Sequence, residues 1–458
     1  MLQKKLLSGL FWVLLANLIV KPLWLLGIEV GVQNAIGDEV YGFYAAIFSF
    51  TCIFNILLDL GVTNFNTRNI AQHPQLISKH LSGILGIKML LVGLYLTVTF
   101  SVGLLMGYGS HEFRLMALLT LCQVLNSLIL YLRSNFEGLL LFKWDSLFSV
   151  LDRLLMIIIC GLLLWGPSSL ASHLEGGRGV FTIYHFVYAQ LVAYTLTALL
   201  AFAVIARKTK FKRLRWDRRF FLVILRKSAP FAMLVLLMNS YYRIDPILLR
   251  RLAGDADAGI YAGAFRLLDA LTMVAYLVSI PLLPVFSKIC KEMKDAHHST
   301  LSTPGSTLHD SIRIVFWPLM LFSIGTALAC SFWAEPLMGW CYHENAAHYV
   351  PVFRVVIFGL IPTGLTYIFG TLLTAGGHLR QLNIFAASTL VINIVVNLLL
   401  IPRLGAVGSA WASLSAQSFM AITQLALSIH IFKLHWSTFR LPRPKELKSL
   451  LSLLPIKR

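Results

Sequence analysis

The sequence predicts an all-α polytopic membrane protein with about twelve transmembrane helices in two six-helix bundles, related by a pseudo-two-fold axis along the membrane normal. Three observations carry this prediction. Of 458 residues, 57% are hydrophobic and only 13% are charged, about half the charged share that a wetted globular surface requires. The apolar residues fall in runs of about 20, the length of a helix crossing the hydrocarbon core. A short motif also recurs with an offset near half the chain length.

The apolar runs lie at 7–28, 41–64, 82–106, 114–132, 146–166, 181–206, 229–251, 259–286, 312–333, 350–374, 382–401 and 406–432. In lipid every backbone polar group must be satisfied within the protein, and uninterrupted runs of this length do so as helices rather than strands. The first run has the basic start of a signal peptide (Lys4, Lys5). No small-residue cleavage site follows, and Lys21-Pro22 interrupts it, so it reads as a retained helix.

Lysine and arginine set the orientation. With a cytoplasmic N-terminus, the outer loops hold only Arg114, Arg178, Arg250, Arg251 and Arg403. Lys21, Lys88, Arg153, Arg243, Arg266 and Arg354 fall inside helices, and the remaining bases fall on the inner side. Both termini are therefore expected to be cytoplasmic. The net charge of +19 then belongs to inner segments such as Arg207–Arg219 (RKTKFKRLRWDRR), lying against anionic lipid headgroups rather than nucleic acid. The six cysteines are scattered without a C-x-x-C pair. Cys341, His343 and His348 share one outer loop, but three scattered donors on a flexible loop do not make a metal site, and neither a metal nor a cofactor is expected.

The repeat pairs IGDEVYGFYAAIF at 36–48 with AGDADAGIYAGAF at 253–265. Gly37, Asp38, Gly42, Tyr44, Ala45 and Phe48 recur as Gly254, Asp255, Gly259, Tyr261, Ala262 and Phe265. Each copy follows an odd-numbered helix and runs into the next one, where the glycines suit a tight turn and a close helix entry. The offset implies an N-terminal lobe at 1–206, a basic cytoplasmic linker at 207–228, a C-terminal lobe at 229–432 and a basic tail at 433–458. Six helices per lobe make the repeats parallel, as in transporters whose halves rock about a central site.

Bases within helices cost about 2.5–3.5 kcal/mol each on insertion scales unless they snorkel, pair or line water. Lys88 and Arg354 lie near helix ends and are expected to snorkel. Arg153 follows Asp152, where a local pair or a headgroup contact competes with function. Lys21, Arg243 and Arg266 sit deeper. Asn17 lies four residues before Lys21, with Pro22 kinking that helix, and Asn239 lies four before Arg243. Arg266 is three residues from Asp269, and Asp245 closes the R-I-D at 243–245. With two acids among three bases, a wet cavity here would be positive and suit an anionic, phosphate-bearing substrate. The bland alternative is a salt-bridge network between the lobes. Gln123, Asn126 and Arg133, and separately Asn393 and Asn397, form softer polar stripes that read mainly as helix–helix glue.

Three stretches carry a family resemblance: GDEVYGFYAAIFSF at 37–50 leading through LLDLGVTNFNTRNIAQ at 57–72, APFAMLVLLMNSYYRIDPILL at 229–249, and AGDADAGIYAGAFRLLDAL at 253–271 closed by IPLLPVFSKI at 280–289. Along nearly its whole length the chain resembles the polysaccharide-transport branch (O-antigen flippase-like) of the multidrug/oligosaccharidyl-lipid/polysaccharide exporter superfamily. The resemblance implies two six-helix bundles in a V around a cationic cavity. It also implies a flippase for undecaprenyl-diphosphate-linked oligosaccharide, in a bacterial inner membrane, serving O-antigen or capsule assembly. Arg68 matches the motif arginine after the second helix, Arg243 and Asp245 the R-x-D of the seventh, and Arg266 a basic position of the eighth. Lys21 matches no family motif and rests on the bottom-up argument. Asp245 and Asp269 are candidates for ion coupling or for a salt bridge. Relatives that flip the peptidoglycan precursor carry two further helices, and no fourteenth span is present here. The rivals are a multidrug exporter of the same fold, which wants an acidic or aromatic cavity, and a membrane polymerase or ligase, which wants a long outer loop. A scaffold without transport activity is a third.

Overall fold

The computed structural model describes residues 19–63, 66–67, 70, 77–139, 141–166, 181–208, 218–279, 282–296, 304–342 and 346–440, and every regular element among them is helical. In chain order these are α1 (Ile19–Ile36), α2 (Asp38–Leu58), α3 (Ile77–Leu105), α4 (Ser110–Gly138), α5 (Lys143–Trp165) and α6 (Ile183–Lys208). They continue as α7 (Arg218–Leu252), α8 (Asp255–Ser279), α9 (Leu282–Ala296), α10 (Pro304–Phe332), α11 (Ala334–Cys341), α12 (Ala346–Gly376) and α13 (Leu379–Phe432).

Among the described residues, ten helices are long and apolar enough to cross a membrane. Two facts bring this into line with the twelve segments read from the sequence. α13 breaks at Gly405 (φ 53°, ψ −132°), so it holds two arms. α7 falls outside the ten and carries Arg243, Asp245, Arg250 and Arg251. Large apolar side chains such as Met89, Leu105, Phe332, Leu399 and Ile422 are exposed. Water would penalise that surface, whereas lipid accepts it.

The recurrent Gly-Asp pair has a structural reason. Gly37 ends α1 at φ 81°, and Gly254 ends α7 at φ 103°, conformations that a Cβ disfavours. Asp38 and Asp255 then open α2 and α8, where a carboxylate complements the positive end of the helix dipole. The next recurrent glycines bring the two copies into contact. A Cβ on Gly42 would stand 1.8 Å from the Asp255 carbonyl oxygen, and one on Gly259 would stand 2.0 Å from the Asp38 carbonyl oxygen. Gln33 donates from its side chain to the Gly259 carbonyl (3.0 Å) and to Asp38 (3.0 Å), tying the crossing together.

By packing, the chain divides into two compact units, Met1–Gly263 and Ala264–Arg458. In the first, one core joins α1, α2, α4, α5 and α6 through Trp24, Tyr44, Phe50, Leu119, Met156 and Phe186. A second core around Leu81, Ile84, Tyr131 and Phe136 joins α3 to α4. In the second unit, the amphipathic α9 buries Leu282, Phe286 and Ile289 against α10 and α12.

Lys88 departs from the expectation that it snorkels. It is 5% exposed and donates to Asp59 (2.9 Å), Ser127 Oγ (2.8 Å) and the Leu58 carbonyl (3.1 Å). The cause is the end of α2. Its last turn tightens to a 3₁₀ helix at Phe54–Leu58, leaving terminal carbonyls that need donors. An ammonium beside a carboxylate meets that need away from water. Arg354, by contrast, is exposed and pairs with Glu335 at 3.0 Å.

Candidate functional site: a polar cavity in the first unit

A cavity of about 170 Å³ opens within the first unit, lined by Trp24 and Glu29 of α1, Tyr44, Phe48, Cys52 and Asn55 of α2, Gln123 and Asn126 of α4, Arg153 of α5, and Gln190 and Tyr194 of α6. Local sequence builds each wall. Pro22 supplies no backbone N–H, and Leu23–Glu29 after it winds as a π-helix. At i→i+5 pitch, residues five apart share a face. Trp24 Nε1 accordingly donates to Glu29 Oε1 at 2.9 Å. In a regular α-helix these two side chains would diverge by more than a quarter turn. On α2, Tyr44, Phe48, Cys52 and Asn55 are spaced four, four and three apart, one helical face. Gln123 and Asn126 repeat that logic on α4, as do Gln190 and Tyr194 on α6.

The polar groups are only partly satisfied by one another. Asn55 donates to Gln123 Oε1 (3.1 Å), Gln123 donates to Cys52 Sγ (3.2 Å), and Gln190 donates to the Tyr194 hydroxyl (3.1 Å). Gln190 is 4% exposed, and its Oε1 has no hydrogen-bond partner among the described residues.

Arg153 is the base of the cavity. Its guanidinium lies 5.4 Å from the Trp24 ring and 5.9 Å from the Tyr194 ring, within cation–π range of both, and 3.8 Å from Asp152. Trp24 is held in turn by stacking on Phe186, centroids 5.8 Å apart.

The expected residues distribute as follows. Lys21 is half-buried and is not among the cavity-lining residues, and it interacts electrostatically with Arg153, Arg133 and Asp152. Arg133 is paired with Asp145 at 2.8 Å. Arg243 does not line the cavity but lies 5.8 Å from the ring of Phe48, which does. Asp245 is fully buried and accepts from the Tyr261 hydroxyl at 2.7 Å. Arg266 and Asp269 belong to the second unit. Arg266 is 4% exposed and donates to the Tyr342 hydroxyl at 2.8 Å, and Tyr342 stacks on Tyr349. Asp269 accepts through its backbone carbonyl from Thr272 at 2.8 Å. Arg68 lies outside the described residues, as does His343 of the outer-loop donors. Among the described residues no cluster of three metal-ligating side chains occurs.

Sequence reasoning underweighted Arg153, because the adjacent Asp152 offered a simpler partner. It passed over Trp24, Glu29, Gln190 and Tyr194. The available signals were Pro22 inside an apolar run, and a glutamine and a tyrosine four apart in an otherwise apolar run.

An uncharacterised membrane protein of Methanocaldococcus jannaschii is 26% identical over 404 residues, covering 83% of this chain and 87% of the relative. Among solved structures, an inward-facing multidrug-resistance MATE-family transporter of the MOP superfamily superimposes with a TM-score of 0.68 at 14% identity, covering 92% of this chain and 98% of that one. The lipid II flippase MurJ in an inward closed conformation gives 0.65 at 13% identity, covering 100% and 93%. The chain has their fold: all-helical, polytopic and membrane-embedded. The family described as polysaccharide biosynthesis protein matches residues 6–290, more than half of the sequence, and the chain belongs to that family.

Proposed function

We propose that the protein is a transporter that flips polyprenyl-diphosphate-linked oligosaccharide, undecaprenyl in bacteria, from the cytoplasmic to the outer leaflet for surface polysaccharide assembly. The observation that carries this is a guanidinium, Arg153, held in a polar cavity within membrane-spanning helices, with Lys21 within its electrostatic reach. Charge at that depth is expensive, and it is retained where a substrate path needs it. The family match and the fold shared with a flippase support the same conclusion.

The lipid tail stays in the bilayer while the headgroup enters the protein. Lys21, Arg68, Arg243 and Arg266 are the candidate contacts for the diphosphate, because cations hold phosphate oxygens through charge-assisted hydrogen bonds. The lobes at 1–206 and 229–432 alternate access by moving as units, with both termini cytoplasmic and the membrane being the inner membrane in a bacterial host. Asp245 and Asp269 are the candidates for ion coupling, since a buried acid can exchange a proton or cation for its present partner. No covalent chemistry is required.

Complementation of a bacterial strain lacking its O-antigen flippase tests the proposal. Wild-type protein restores surface polysaccharide, and Arg153→Ala and Lys21→Ala insert normally but do not. A multidrug exporter is the second reading, favoured by the aromatic walls and Glu29. It predicts drug resistance on expression, abolished by Glu29→Gln, with no surface polysaccharide.

A further inference from the structure

We infer that the cavity of the first unit is a subsite for one neutral pyranose ring of the substrate's sugar chain, distinct from whatever groups hold the diphosphate. The inference rests on the proposed function in that it requires a sugar-bearing substrate, but it rests on different atoms.

The unpartnered amide atom, taken with the four amides of the lining, favours sugar over phosphate. Gln190 Oε1 is buried and without a partner among the described residues, and it belongs to a cavity-lining side chain. A buried acceptor left unmade is costly, so the ligand that completes the site must bring a donor. An ionised diphosphate brings only acceptors. A sugar hydroxyl brings both a donor and an acceptor.

The rest of the lining agrees. Four amides, Asn55, Gln123, Asn126 and Gln190, offer donors and acceptors together, the complement of a ring of hydroxyls. Charge is balanced rather than positive. Arg153 has Asp152 at 3.8 Å and interacts electrostatically with Glu29, which also lines the cavity, and neighbouring Arg133 has Asp145 at 2.8 Å. Aromatic faces of Trp24, Tyr44, Phe48 and Tyr194 supply apolar walls whose negative π-faces suit the C–H face of a pyranose. At about 170 Å³, the space is below the roughly 300–1,000 Å³ of a drug-sized pocket, so it admits one ring and not a chain.

The test is saturation-transfer NMR on the full-length protein in lipid nanodiscs. The probes are methyl glycosides of glucose, galactose and N-acetylglucosamine, with inorganic pyrophosphate as competitor. At least one glycoside should show transfer that pyrophosphate leaves unchanged. Gln190→Leu should weaken it about ten-fold, the scale of one lost hydrogen bond, while Gln190→Glu, which keeps an acceptor, should retain most of it. Asn126→Ala provides a second, independent lesion should Gln190→Leu fail to fold. Absence of transfer from every glycoside, competition by pyrophosphate, or undiminished transfer in both Gln190→Leu and Asn126→Ala overturns the inference. Complementation run in parallel separates the two readings. Transport without glycoside binding sinks the subsite alone, and Gln190-dependent glycoside binding without transport sinks the proposed function alone.

Discussion

Gly42 and Gly259, equivalent positions of the internal repeat, face one another where α2 meets α8, each pressed against the other copy's helix-opening aspartate. A Cβ on Gly42 would stand 1.8 Å from the Asp255 carbonyl oxygen, and one on Gly259 would stand 2.0 Å from that of Asp38. The recurrence visible in the sequence is therefore a contact in the fold.

No rotamer relieves a clash between a Cβ and a backbone oxygen, so the helices themselves must separate. Gly42→Ala and Gly259→Ala are each expected to cost about 3 kcal/mol or more, at or above the top of the overpacking range. Gly37→Ala, which meets open space but must hold φ 81° and ψ 163°, a region open essentially to glycine alone, should cost about 1–3 kcal/mol. Thermal unfolding in detergent ranks the three, and equal losses at Gly42 and Gly37 would contradict the close-approach argument.

The Lys88–Asp59 pair makes a second prediction. Removing Asp59 leaves the buried Lys88 ammonium without its counter-charge, at a cost of about 3 kcal/mol or more, whereas Asp59 is itself partly exposed. Asp59→Leu should be strongly destabilising, Lys88→Met less so, and Lys88→Met with Asp59→Leu should recover much of the loss. A double variant as unstable as the sum of the singles would show that the ammonium acts mainly through the Leu58 carbonyl and Ser127.

Arg153 should not be replaceable by lysine. Its planar guanidinium lies near two aromatic faces, Trp24 and Tyr194, which a compact ammonium on a flexible stem cannot serve together. Arg153→Lys is expected to keep the fold and lose transport by about ten-fold, since two exposed-type cation–π contacts sum to roughly 1–2 kcal/mol. Full activity in Arg153→Lys would reduce its role to charge alone.

The π-turn is open to a direct check. Pro22→Ala restores an N–H that favours regular α-pitch, which would turn Glu29 away from Trp24. The expected outcome is a shift in indole fluorescence and weaker transport with little change in melting temperature. An unchanged spectrum would mean that packing of Trp24 on Phe186, rather than Pro22, holds the π-turn.

Much of the architecture was legible in the sequence because lipid imposes a coarse rule: about twenty apolar residues make a span. The repeat was legible because glycine and aspartate have few substitutes at a positive-φ turn followed by a helix start. Lys88 was misread because the 3₁₀ end of α2, which supplies its acceptors, leaves no mark in hydropathy. The cavity was only half legible for a related reason. Lys21-Pro22 announced an irregularity, but i→i+5 pitch cannot be read from periodicity, so the Trp24–Glu29 pairing was invisible. Gln190 and Tyr194 drew no reading from the sequence, and only the geometry shows an acceptor left unmet. Arg68 matched a family motif, yet it falls outside the described residues.

The central claim, that a polar site inside the membrane carries a lipid-linked saccharide across, is tested most directly in proteoliposomes. Purified protein is reconstituted with a fluorescent polyprenyl-diphosphate oligosaccharide, and arrival of the headgroup at the opposite leaflet is followed by its accessibility to an impermeant quencher. The account predicts transbilayer movement in wild type, slowed at least about ten-fold in Arg153→Ala, where the base within the cavity is lost. Movement no faster than in protein-free vesicles, or equal in wild type and Arg153→Ala, would contradict it.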